Sequence, residues 1–163
     1  MRVNLYCLLL LLSVCVGTVS AGTAVTVSFT KPESYTDMGR YRDEPNAEMK
    51  EIEAHLKQLG ERYLPPSQLL KIEVLDIDLA GRVNFSNRSG REVRILRGNA
   101  DWPSIKLHYL LEADGRVLLE RQENVADMGY LQRPNTHYSG RFLQYEKRML
   151  DDWFRQRFAT HKR

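Results

Sequence analysis

The segment RFLQYEKRMLDDWFRQRF, residues 141–158, predicts an amphipathic helix near the C-terminal end of the chain. Its apolar residues recur at steps of three and four and form one wide face, made of Phe142, Tyr145, Met149, Leu150, Trp153 and Phe154. Burial of Trp153 and Phe154 is expected to contribute about 2–3 kcal/mol each. Ser139 is the predicted N-cap. We therefore expect this helix to pack against a sheet and not to form a detached tail.

The N-terminal half of the chain predicts a strand followed by a second amphipathic helix. The strand is indicated by strict alternation of apolar and hydroxyl residues over 25–30. The helix is indicated by apolar residues at helical spacing, namely Met49, Ile52, Leu56, Leu59 and Tyr63, and it is ended by Pro65-Pro66. Gly60 lies within this pattern, where a glycine either ends a helix or weakens it.

The middle of the chain predicts further strands. Residues 69–79 alternate in one phase up to Val74 and in the opposite phase from Leu75, which indicates either a β-bulge near Val74-Leu75 or a strand covered on both faces, and we favour the bulge. The polar residues 81–91 predict a loop, and Val93 with Ile95 predicts a short strand. Residues 105–111 alternate cleanly and predict another strand.

A turn at Asp114-Gly115 predicts a hairpin, and its loop length sets the register. A two-residue loop places Tyr109 opposite Glu120, whereas a three-residue loop, Ala113-Asp114-Gly115, places Leu111 opposite Val117 and His108 opposite Glu120. We predict the three-residue loop because it keeps apolar side chains on one face.

The order of these elements, β-α-β-β-β-β-α, predicts an α+β fold. We expect an antiparallel sheet of about four to five strands, with the two amphipathic helices packed on one of its faces.

Residues 1–21 predict a cleaved signal peptide, which leaves residues 22–163 as a single domain. Arg2 precedes an apolar run centred on Leu8–Leu12, and Val19-Ser20-Ala21 offers small residues before a cut at Gly22. The run is too short to span a bilayer comfortably, and no second one follows it. The sequence therefore predicts a periplasmic protein without a transmembrane segment, and the alternatives are a lipoprotein anchored at Cys15 or an extracellular protein.

Composition excludes several classes of function. The chain has 163 residues, 24 Lys+Arg and 21 Asp+Glu, and loss of Arg2 with the signal changes its net charge from +3 to +2. A charge so near zero argues against nucleic-acid binding. Both cysteines, Cys7 and Cys15, lie in the signal, so the mature chain has no disulfide, thiolate metal ligand or cysteine nucleophile. The four histidines lack metal-ligand spacing, and we predict no metal and no cofactor.

Three carboxylates are the candidate catalytic residues. Glu146 falls inside the apolar face of the C-terminal helix, where a carboxylate must be paired or have a raised pKa. Its structural interpretation is a buried ion pair with an arginine of the sheet. Asp76 and Asp78 lie two apart after the bulge and are predicted to face solvent or to pair with Arg94 or Arg97.

Five sequence strings resemble domain of unknown function family 3016. They are LKIEVLDIDLAG (residues 70–81), Arg97-Gly98, WP-x-I-x-L-x-Y (residues 102–109), YEKRMLDDWF (residues 145–154), and HL-x-x-LG with RYLPP (residues 55–66). The resemblance spans about residues 25–158. It implies a small exported protein of Gram-negative bacteria, and it implies no activity and no catalytic residues.

Three hypotheses of function follow from the sequence. The first is a non-catalytic periplasmic domain that binds or supports an envelope protein or a cell-wall component, since no catalytic motif is present. The second is a hydrolase that uses Glu146 with Asp76 or Asp78. The third is a protein-binding or inhibitor module that uses an exposed sheet edge.

Overall fold

The computed structural model describes residues 24–37, 46–88, 90–98 and 100–159. The predicted signal segment, its cleavage site and Cys15 lie outside these residues, as does His161. Eight helices and strands are described, together with a 3-10 turn at Pro32–Ser34. They are β1 (Val25–Phe29), α1 (Ala47–Tyr63), β2 (Gln68–Asp78), β3 (Arg82–Ser86), β4 (Arg91–Ile95), β5 (Ser104–Ala113), β6 (Arg116–Ala126) and α2 (Gln144–Phe158).

The fold is α+β, as predicted, but its main sheet is mixed. The strand order is β1-β2-β5-β6, with β1 parallel to β2 and the other neighbours antiparallel. The prediction of a purely antiparallel sheet is therefore wrong. Helix α1 connects β1 to β2 and returns the chain to the end of the sheet at which β1 starts. A helical crossover of this kind joins parallel strands.

Strand β2 contains the predicted bulge. Its pairing with β5 shifts between Val74 and Asp76. Leu70, Ile72 and Val74 are buried before the shift, and Ile77 is buried after it. The bulge therefore keeps apolar side chains on the core face while it turns Asp76 and Asp78 away.

The segment 81–91, predicted as a loop, contains strand β3. This strand pairs with β4 in a separate two-stranded sheet, with Val83 opposite Arg94 and Arg82 opposite Ile95. No residue of β3 is fully buried. The strand therefore has no buried face and lacks the apolar alternation by which strands are recognised.

The β5–β6 hairpin has a different turn from the one predicted. Asp114 and Gly115 form a two-residue loop with φ angles of 50° and 72°, and Ala113 pairs with Arg116. A register shift beside Leu111 then places Leu111 opposite Leu119. Apolar pairing is thus achieved by a tight turn plus a bulge, and His108 lies opposite Gln122. His108 still contacts Glu120 diagonally, with its Nε2 3.1 Å from Oε1.

Helix α2 packs its predicted apolar face on the sheet. Trp153 is 6% exposed, its indole N–H donates to Glu123 of β6 (3.1 Å), and its ring meets Tyr109 edge-on. The helix begins at Gln144, and Leu143 occupies the N-cap position with φ 53°, so the predicted Ser139 cap is wrong. Helix α1 contributes Ile52, Leu56 and Leu59 to the same core. In the part of the chain that the structure describes, no helix is both long and apolar enough to cross a membrane.

Candidate functional site

The strongest candidate site is a cavity at the N-terminal ends of α1 and α2, which we call the helix-end cavity. It has a volume of about 260 Å³. Its walls come from the end of β2, from β4 and from both helix starts; they include Glu48, Leu79, Ala80, Arg94, Leu96, Phe142, Leu143 and Glu146. The first turn of α1 lies beside the first turn of α2, and both turns line the cavity.

Glu146 lies in this cavity wall and is buried, as predicted, with 3% of its surface exposed. The backbone N–H of Ala80 donates to its Oε1 (2.8 Å). Burial raises the pKa of Glu146, and the hydrogen bond from Ala80 opposes this rise, as does the charge of Arg94. Among the ion pairs of the described residues none includes Glu146, so the expected ion pair with a sheet arginine is not formed.

Glu48 is a second buried carboxylate of the helix-end cavity, and the sequence analysis missed it. It lies in the first turn of α1 with 1% of its surface exposed, and among the described residues its Oε1 has no hydrogen-bond partner. A glutamate at a helix start is usually explained by the helix dipole. The sequence nevertheless indicates the burial of Glu48, because this residue precedes Ile52 by four positions and therefore lies on the apolar face of α1.

Arg94 forms one side of the cavity wall and connects β4 to neighbouring segments by hydrogen bonds. Its Nη1 donates to the carbonyl oxygens of Ala80 (2.9 Å) and Gly81 (2.8 Å), and its Nη2 donates to Asp37 (2.6 Å). This side chain fixes the β3–β4 hairpin against the end of β2. The salt bridge predicted from Asp76 or Asp78 to Arg94 is formed by Asp37 instead.

Asp76 and Asp78 do not line the helix-end cavity. Asp76 accepts hydrogen bonds from the backbone N–H (2.7 Å) and the hydroxyl (2.8 Å) of Thr36. Asp78 lines a separate cavity of about 320 Å³ beside Asp37 and Asp101. Burial raises the pKa of Asp78, and the neighbouring charges of Asp37 and Asp76 add to that rise. The three predicted candidate carboxylates therefore do not converge on one cavity.

His55, the most buried histidine of the described residues, has a structural role. His55 is 5% exposed, its Nε2 lies 3.0 Å from Asp151, and the Tyr138 hydroxyl donates to the same carboxylate (2.6 Å). Burial alone would raise the pKa of Asp151, but the nearby His55 and the hydrogen bond from Tyr138 hold it below its usual range. Over the described residues no group of three or more His, Cys, Asp or Glu could hold a metal ion.

The comparison with protein families agrees with the sequence resemblance. The model of a family described as a protein of unknown function, DUF3016, matches residues 23–156. The chain belongs to the DUF3016 family. The matched region runs from β1 into α2 and so includes every residue that lines the helix-end cavity. No curated protein and no solved structure matches the chain. Membership in DUF3016 therefore identifies the domain without assigning an activity to its cavity.

The buried position of Glu146 predicts a pH-dependent contribution to stability. Its pKa is raised in the folded state, so the stability that it contributes is complete below the ordinary carboxyl pKa and is lost as pH rises through the raised value. We expect Glu146→Gln to flatten the decline of the free energy of unfolding as pH rises above the ordinary carboxyl pKa. Urea unfolding followed by tryptophan fluorescence at a series of pH values measures this change.

The matched control for this prediction is Glu61→Gln. Glu61 lies on α1 and is exposed, so its removal should leave the shape of the pH profile unchanged. Parallel profiles for the wild type and Glu146→Gln would contradict the effect of burial on this carboxylate.

Proposed function

We propose that this DUF3016 domain is a non-catalytic binding module of the bacterial envelope, which holds one side-chain-sized group of its ligand in the helix-end cavity. The observation that carries the proposal is a concave site with mainly apolar walls and two buried carboxylates. Sites that recognise small ligands combine apolar walls with a few polar groups in this way.

The volume of the helix-end cavity limits what it can hold. About 260 Å³ is below the range of roughly 300–1,000 Å³ typical of pockets that enclose a whole drug-sized ligand. The cavity therefore suits a single side chain or a short alkyl group. A larger partner, such as an envelope protein or a cell-wall component, would be held by one inserted group.

The hydrolase hypothesis has one favourable observation, which is the raised pKa of Glu146. A carboxyl group with a raised pKa suits a general acid. The hypothesis names Asp76 or Asp78 as the partner of Glu146, but Asp78 lines a different cavity and Asp76 is bonded to Thr36, so the pair that it requires is not formed. The geometry therefore supports binding better than hydrolysis.

The sheet-edge hypothesis concerns the outer edge of β6. Within the described residues no strand pairs with this edge. The strand nevertheless has a register shift beside its turn and carries charged residues, including Glu120, Arg121 and Glu123. Bulges and charges are the devices by which edge strands avoid adding another strand. The helix-end cavity is therefore the better-supported binding site.

The proposed location is the periplasm, reached by means of residues 1–21. The apolar run and the small residues before Gly22 support export and cleavage, and acylation at Cys15 or release from the cell are the alternatives. The N-terminal sequence and mass of the protein recovered from its own cells distinguish these outcomes. A free N-terminus at Gly22 is expected, and an unprocessed chain in the cytoplasm would contradict export.

Blocking the helix-end cavity tests the proposed binding. Ala80 is buried and lines the cavity, and Ala80→Leu adds three carbon atoms there while the backbone N–H that binds Glu146 is kept. The probes are pentylamine, 1-pentanol and pentanoate, which share one chain length and differ in their polar end. We expect at least one to bind saturably in NMR titrations, with a dissociation constant on the order of 1 mM, and Ala80→Leu to weaken this binding at least tenfold.

The control variant is Ala54→Leu. Ala54 lies on α1 and is exposed, so the same substitution adds the same atoms outside the cavity. Saturable binding of none of the three probes, or equal binding to Ala80→Leu and the wild type, would contradict the proposed function.

A further inference from the structure

We propose that the group held in the helix-end cavity is an alkylammonium, that is, a primary amine on a methylene chain, recognised by Glu48 and Glu146. This inference rests on the proposed binding function and names its ligand class. The observations that carry it are the burial of both carboxylates, the unpartnered oxygen of Glu48 and the apolar walls around them.

Glu48 has unused hydrogen-bonding capacity. A buried carboxylate oxygen without a partner is costly, because it has lost water and gained no donor. No described residue donates a hydrogen bond to Oε1 of Glu48, although the residue is 1% exposed. A rotation that turns this oxygen toward the cavity breaks no hydrogen bond of its own. An ammonium group carries three donors and supplies the missing partner.

Glu146 adds a second acidic group to the cavity wall. It is 3% exposed and is bonded to a neutral backbone amide, and it forms no ion pair with any described residue. A cation in the cavity favours the ionised form of Glu146 through space. The two glutamates therefore act on a bound ammonium in the same direction, by direct contact at Glu48 and by charge at Glu146.

The charged groups of the cavity favour a cationic over an anionic ligand. Arg94 lines the cavity, but its guanidinium donates to Ala80, Gly81 and Asp37. Arg141 is exposed at the wall. A carboxylate or phosphate entering the cavity would therefore meet two buried acidic groups before it met an uncommitted buried cation. The arrangement favours an ammonium.

The apolar walls of the cavity suit a methylene chain. Leu79, Leu96, Phe142 and Leu143 line the cavity beside the two glutamates. Long amine side chains bury their methylene stems along apolar surfaces and keep the charged end on polar groups. The shared chemistry is that of a free alkylamine and of a lysine side chain in a partner protein or peptide, and the size of the cavity admits either.

The probe series separates this inference from the proposed function. We expect pentylamine to bind the full protein at pH 7.5 at least tenfold more tightly than 1-pentanol, and pentanoate not to bind. Glu48→Gln should weaken pentylamine at least tenfold and Glu146→Gln several-fold, with Glu61→Gln as the control on α1. Both cavity variants should keep the melting temperature of the wild type or exceed it, because each removes a buried acidic group.

Two outcomes overturn the inference and leave the proposed function standing. One is equal binding of pentylamine and 1-pentanol with no effect of Glu48→Gln, since the cavity would then recognise only the apolar chain. The other is preferential binding of pentanoate, since the cavity would then be an anion site. A comparison of 1,5-diaminopentane with Nα-acetyl-lysine amide, which keeps its side-chain amine, then distinguishes a free amine from a lysine side chain.

Discussion

Replacement of Phe154 by alanine is expected to lower the free energy of unfolding by about 3–5 kcal/mol. Phe154 is fully buried in the middle of α2, and its ring lies 4.7 Å from the Phe158 ring and 6.0 Å from the Tyr63 ring, measured between centroids. The side chain therefore joins the two helices over the sheet. Its removal leaves a cavity between elements that cannot close without shifting a helix.

Phe85→Ala is the matched control for this change. The same atoms are removed from β3, where Phe85 is 64% exposed, so we expect a loss below about 0.5 kcal/mol. Equilibrium urea unfolding of both variants measures the difference. Similar losses for the two substitutions would show that α2 is not packed on the sheet.

The packing of α2 could be predicted because one periodic signal determines it. A wide apolar face that contains Trp153 and Phe154 has only one stable environment, and both residues are buried as expected. The bulge in β2 was equally predictable. The apolar alternation of β2 changes phase after Val74, and the pairing of β2 with β5 shifts between Val74 and Asp76.

The parallel pairing of β1 could not be read from the same kind of pattern. A short alternating strand looks alike whether its neighbour is parallel or antiparallel, and only the connection distinguishes them. Strand β3 was missed for a related reason. Its pairing with β4 depends on backbone hydrogen bonds, and no apolar face of Arg82–Ser86 is buried to mark it in the sequence.

Only one of the two buried carboxylates of the helix-end cavity was predicted from the sequence. Glu146 was found because a carboxylate inside an apolar helix face breaks the pattern, and it lies in the cavity wall. Glu48 breaks the pattern in the same way, but a helix start offers a simpler explanation for an acidic residue. Asp76 and Asp78 were grouped with Glu146 by residue type alone. The structure separates them because the bulge turns them toward Thr36 and Asp37.

Gly60→Ala is expected to lower the free energy of unfolding by about 3 kcal/mol, although alanine is the better helix former by about 1 kcal/mol. A Cβ at this position would lie 2.1 Å from Cγ2 of Val25, a buried side chain of β1. Glycine therefore does not end α1, which continues to Tyr63. It allows the helix to approach the parallel strand closely enough to form the β1-α1-β2 unit.

A double-mutant cycle with Val25→Ala separates this contact from helix propensity. Val25→Ala removes the methyl group that the new Cβ would meet and leaves the Val25 Cβ position at 3.2 Å, so Gly60→Ala should be nearly neutral in that background. Gly129→Ala is the control, because the nearest atoms to its Cβ would lie at 3.7 Å and 3.8 Å. A stabilising Gly60→Ala in the wild-type background would mean that α1 does not lie this close to β1. The first turn of α1 would then no longer be fixed beside that of α2, and the geometry that places Glu48 and Glu146 in one cavity would fail with it.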